Sequence, residues 1–191
     1  MTSTRLEAFS DGVIAIIITV MVLELPAPHG THLGALRPAL PALLTYVLSF
    51  VYLGIYWNNH HHMLHLVQRV NGTVLWANMH LLFWLSLIPF VTGWMGESHL
   101  APVPTAAYGV VLLMAAVAWP ILVYTIVRHE GPASRLRAAV GAGTKEKVSL
   151  ACYVSAVLVA LVAPRIAAAL YALVALLWLV PDRRVERVLA A

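Results

Sequence analysis

Residues 5–26 read "RLEAFSDGVIAIIITVMVLELP", and this stretch decides the class of the protein. From Gly12 to Leu25 it is apolar enough and long enough to cross a bilayer, which takes about 20 residues of helix. Yet it opens on an arginine, two acids and a serine, and it carries Glu24 near its far end. Ionisable groups at membrane depth are costly and generally functional. A cleaved signal peptide is a poor alternative reading: the basic leader is weak, Asp11 interrupts the start, and Glu24 with Pro26 spoils a small-residue cleavage site.

The rest of the chain agrees with a membrane class. Of its 191 residues, 61% are hydrophobic and only 10% charged, whereas soluble domains are about half apolar and about a quarter charged. Six apolar windows predict transmembrane helices at about 6–25, 40–57, 74–94, 106–127, 148–163 and 166–181. The expectation is therefore an all-α integral membrane protein, a single six-helix domain over residues 1–191. "APR" at 163–165 predicts a tight hairpin between the last two helices, and Pro89 and Pro120 fall inside the third and fourth, where they can kink them.

Cytoplasmic loops collect Lys and Arg. With the N-terminus inside, cytoplasmic segments hold Arg5, Arg69, Arg128, Arg135, Arg137, Lys145, Lys147, Arg183, Arg184 and Arg187, ten of the twelve basic residues. Only Arg37 and Arg165 fall outside. Both termini are thus expected in the cytoplasm. The net charge of +4 marks the inner membrane face, and nucleic acid is not an expected partner. The lone Cys152 excludes an intramolecular disulfide framework and any multi-cysteine metal site.

On a wheel of 100° per residue, Gly12, Ile16, Val20 and Leu23 fall within about 40° of one line, with Thr19 roughly 60° to its side. Ser10 and Asp11 point about 120–140° away from Ile16. A second constellation, "GIYWNNHHHMLH" at 54–65, closes helix two at the same membrane level as Asp11 and as Asn78 and His80 on helix three. Asp11, Ser10, His60, His61 and Asn78 can meet there as a hydrogen-bond knot, a metal site or a proton relay. His61 and His65 are spaced i,i+4, as zinc ligands on a helix can be, but no HExxH-type pairing with acids occurs, so no metal and no cofactor is expected. Neither a nucleophile with an adjacent base nor two well-spaced acids appear, which argues against an enzyme.

"RLEAFSDGVIAIIITVMVLEL" resembles the Arg-x-x-x-Phe-Ser-Asp signature of the transmembrane protein 175 family, the endosomal and lysosomal potassium channels and their prokaryotic relatives. Arg5, Phe9, Ser10 and Asp11 carry the match, and "YWNNHH" at 56–61 with Asn78 and Pro89 on the next helix is similar to the same family. The resemblance implies a homotetramer in a prokaryotic plasma membrane, with four copies of helix one around a pore for potassium ions. It maps the constriction onto Ile16, further hydrophobic rings onto Val20 and Leu23, and a threonine linked to potassium preference onto Thr19. It gives Phe9, Ser10 and Asp11 a packing and hydrogen-bonding role with Arg5, Trp57 and the histidines. Ala15 departs from members that carry serine there, which bears on fine selectivity. No TVGYG-like run is present, so any selectivity cannot come from a backbone-carbonyl filter. The alternative reading is a small cation or proton-coupled transporter using the Asp11–histidine cluster.

Overall fold

The computed structural model describes residues 3–67, 70–139 and 143–179, and all of its regular structure is helical. Helix α1 runs Ser3–Val20 and tightens into a 3₁₀ turn, Met21–Glu24. A 3₁₀ segment, Leu33–Ala39, leads into α2, Leu40–His65. Then come α3 (Gly72–Ser86), α4 (Ile88–Glu97), α5 (Pro102–Glu130), the short α6 (Arg135–Ala139), α7 (Thr144–Ala160) and α8 (Pro164–Leu179).

Four helical stretches are long and apolar enough to cross a membrane: 3–24, 33–65, 72–97 and 102–130. The protein is thus a multi-pass, all-α membrane protein. The expected hairpin of the last two helices is the pair α7 and α8, joined by residues 161–163 and packed against each other and against α5. Residues 180 and 181, the end of the expected sixth helix, lie outside the described residues, as do Arg69, Arg183, Arg184 and Arg187.

Helix ends shift by a few residues elsewhere, but two differences from the sequence expectation are larger, each for a local reason. Helix two does not stop at residue 57 but continues through the histidine run to His65. Neither Pro nor Gly interrupts it there, Asn59 Nδ2 donates back to the Ile55 carbonyl at 2.9 Å, and His60 is buried and hydrogen-bonded. The third span is two helices that meet at Leu87. Pro89 occupies the first turn of α4; having no N–H, and a ring that crowds the carbonyl four residues back, proline breaks the ladder there. Pro120 sits inside α5 without ending it.

Hydroxyl groups stitch the interior. Ser49 Oγ lies 2.7 Å from Thr92 Oγ1 and 3.0 Å from Tyr108 Oη, so α2, α4 and α5 share one buried hydroxyl junction. Tyr52 donates to the Tyr171 carbonyl, and Tyr171 Oη donates to the Thr105 carbonyl at 3.2 Å, which ties α8 to α2 and α5. In lipid, packing and interhelical hydrogen bonds replace the hydrophobic drive between helices. Close approach does the same work where α2 meets α4. A Cβ on Gly96 would stand 2.7 Å from both Ala42 Cα and Thr45 Oγ1, so only glycine lets these backbones approach so closely.

Candidate functional site: the two faces of helix one

Helix α1 buries Leu6, Ser10, Ile14 and Ile17, and the 3₁₀ turn continues the row with Met21. These recur every three or four residues, the period of one helical face. The opposite face is uncovered: Gly12, Ile16, Thr19, Val20 and Leu23 are all exposed on the subunit. The contrast is sharpest between neighbours, with Ile16 63% and Ile17 6% exposed. Leu23 stands on the 3₁₀ turn rather than on the α-helix. Thr19 Oγ1 donates into its own helix, 3.0 Å from the carbonyls of Ala15 and Ile16. Its single proton is thereby directed inward, and the lone pairs of its oxygen remain on the uncovered side.

The buried face is fixed by a directional chain of hydrogen bonds. Ser10 Oγ donates to the Leu6 carbonyl at 2.9 Å, Asn78 Nδ2 donates to Ser10 Oγ at 2.9 Å, and His60 Nε2 lies 2.7 Å from Asn78 Oδ1. An amide oxygen only accepts, so His60 must carry its proton on Nε2. All three side chains are fully buried. They join α1, α2 and α3 at one level, and Asn78 is the single group that touches both of its partners. A further pair at this end of the bundle, Asn71 Nδ2 and His129 Nδ1 at 3.1 Å, ties the start of α3 to the end of α5.

The structure thus brings together Ser10, His60 and Asn78. His61 does not join them. One residue further round α2, it stacks on Trp57 with ring centroids 6.1 Å apart and faces Glu7 at 2.8 Å. Asp11 is half-buried, and its Oδ1 has no hydrogen-bond partner among the described residues. Arg5 and Phe9 are exposed on the subunit. His80 accepts from Trp84 Nε1 at 2.9 Å and takes no part in the chain. At the far end of α1, Glu24 is exposed beside Gly93 and lines a cleft with Glu97, Phe90 and Trp94. Sequence reasoning missed Glu7, whose partners His61 and His65 stand on another helix.

Similarity to known proteins agrees with this architecture. Residues 5–89 match the family described as endosomal/lysosomal potassium channel TMEM175. The chain is 54% identical over 187 residues to a potassium channel of Chryseobacterium sp. (strain P1-3), covering 98% of this chain and 97% of that one. It is 27% identical over 121 residues to the endosomal/lysosomal proton channel TMEM175 of Danio rerio, covering 61% of this chain and 22% of that one. The crystal structure of a lysosomal potassium-selective channel TMEM175 homolog from Chamaesiphon minutus superposes with a TM-score of 0.78 at 26% identity, covering 93% of this chain and 96% of that one. With its signature stretch on a helix that buries one face and bares the other, and with a bacterial relative matched over nearly its whole length, the chain belongs to the TMEM175 family.

Proposed function

We propose that four copies of this chain form a potassium-preferring cation channel in a prokaryotic plasma membrane, with α1 of each copy lining a central pore. The observation that carries this reading is the bare stripe of α1. A helix long enough to span the bilayer keeps Ile16, Thr19, Val20 and Leu23 out of its own subunit's core while Ile14, Ile17 and Met21 fill it. Four such stripes around an axis make an apolar conduit. Ile16 is its constriction, Val20 and Leu23 form the rings beyond it, and the Thr19 oxygens are the nearest side-chain oxygens. Arg5 and Phe9 support assembly, because a neighbouring subunit can cover what this one leaves exposed. The names of the bacterial relatives support potassium as the ion.

A ring of isoleucines offers no polar atom to replace an ion's water shell and resists ions by dewetting. Potassium holds its water less tightly than sodium and crosses such a ring more readily. Ile16→Asn should therefore raise the current and lower the potassium-to-sodium preference. Ile17→Asn is the control: it places an amide in the core and should mainly lower stability. Reversal potentials of the two variants, reconstituted in asymmetric potassium and sodium, test the assignment. Parent-like preference in Ile16→Asn, with preference lost in Ile17→Asn, would move the pore to the other face. Discrete single-channel steps distinguish this reading from a carrier, whose turnover is too slow to resolve as openings.

A further inference from the structure

The chain through Asn78 uses His60 and leaves the neighbouring rings to a different partner. His61 and His65 stand four residues apart on α2, so both project from one side of the helix, their centroids 4.4 Å apart and edge to face. Glu7 reaches across from α1. Its Oε1 lies 2.8 Å from His61 Nδ1 and 3.3 Å from His65 Nε2. One donor atom from each of the three residues falls within 4.8 Å of the others.

Ordinary hydrogen bonding does not account for this convergence. Although His61 Nδ1 is only 2.8 Å from the carboxylate, the approach lies off its hydrogen-bond direction, and this buried nitrogen stays without a hydrogen-bond partner. Two imidazole nitrogens and a carboxylate oxygen gathered this closely are a donor set for Zn²⁺ and similar divalent ions, which bind such atoms at about 2.0–2.2 Å. Histidines at i and i+4 on one helical face form a chelating pair. Tetrahedral geometry at that bond length sets donors about 3.4 Å apart. The widest spacing here closes to that value by rotation of Glu7 and of His65, whose side chain is 51% exposed. Imidazole nitrogens select against Mg²⁺ and Ca²⁺, which favour all-oxygen sites. Solvent reaches His61 and His65, so an ion has a way in and water can fill the fourth position.

We propose that Glu7, His61 and His65 form a binding site for a divalent transition-metal ion of the zinc type, which clamps the start of α1 to the end of α2. Trp57, stacked on His61, holds that ring in place. The clamped helix is the one that carries Ile16, so the ion acts on the element with the bare stripe.

The test uses the full chain in detergent, stripped with EDTA and titrated with Co²⁺, whose visible absorption reports four-coordinate binding. One Co²⁺ per subunit is expected, displaced by Zn²⁺ and not by Mg²⁺. Glu7→Gln and His65→Ala should each weaken binding by at least about 10-fold, while His62→Ala, on the adjacent ring outside the triad, should leave it unchanged. Gel-filtration profile and thermal midpoint without metal check that each variant folds, and Glu7→Gln, which keeps the side chain's shape, decides alone if His65→Ala does not. Absence of the Co²⁺ band in the parent, or parent-like affinity in Glu7→Gln, overturns the proposal. No current is measured, so the outcome is independent of the channel reading.

Discussion

Asn78 holds two partners with one amide: its oxygen faces His60 and its nitrogen faces Ser10. Leucine has nearly the same volume and neither group. Asn78→Leu would leave the His60 N–H buried without an acceptor, a loss of roughly 1–3 kcal/mol. The thermal midpoint in detergent should fall by several degrees, whereas His80→Leu, outside the chain, should change it less. An unchanged midpoint for Asn78→Leu would show that water or rearrangement repairs the site. Much at this scale was legible beforehand. Ile16 and Ile17 differ by one position and the helical period alone separates them. Glu7 was not legible, because its partners lie 54 and 58 residues further along the chain and only the docking of α1 on α2 brings them near. The tyrosine and hydroxyl junctions were equally hidden. On a hydropathy reading Tyr52, Tyr108 and Tyr171 count as apolar core, and nothing in their spacing says which carbonyl or hydroxyl each will meet.

Among the elements, the seam between α2 and α4 depends on Gly96. Gly96→Ala should cost about 1–3 kcal/mol, the usual penalty for overpacking, because the new methyl meets the Ala42 backbone rather than a movable side-chain tip. Gly54→Ala, within α2 and with nothing inside 4 Å of the added carbon, should instead gain roughly 0.5–1 kcal/mol from lost unfolded-state freedom. Unfolding of the two variants side by side checks the pair; equal effects would mean that the seam tolerates a wider spacing. Helix existence was plain in the sequence because long apolar windows admit little else. Helix ends were not. The polar run Asn58–His62 looks like an exit from the membrane, yet His60 turns inward to Asn78 and the helix carries on. The break at Leu87 was foreshadowed by Pro89, but a kink and a complete break read alike until the flanking residues find their hydrogen bonds.

For the whole molecule, the distribution of Lys and Arg is expected to set the orientation. The starts of α1 and α3 and the ends of α2 and α5 gather at one end of the bundle, the end where Arg5 and Arg128 lie. A reporter that fluoresces only in the cytoplasm should therefore light up when fused after Ala191; a dark fusion with an active periplasmic reporter would overturn the expected six-span topology. The opposite end bears Glu24 and Glu97 around one cleft. In the proposed fourfold channel these carboxylates would raise the local cation concentration at that mouth. Glu24→Gln should lower conductance at low salt and converge with the parent at high salt, where screening hides surface charge. Equal conductance at both salt levels would show that Glu24 is a solvated helix end and no more.

The change of winding at the end of α1 has its own consequence. In a 3₁₀ turn three residues complete a full circle, whereas in an α-helix they fall about 60° short. Leu23 is thereby brought closer to the line of Val20 than three α-helical steps would place it. Rewinding Met21–Glu24 into α-helix would swing Leu23 out of line by about that angle and shorten the tip, while Ile16, anchored below by the packed Ile14 and Ile17, would not move. In the proposed pore, the twist of this single turn would set the alignment of Leu23 independently of Ile16.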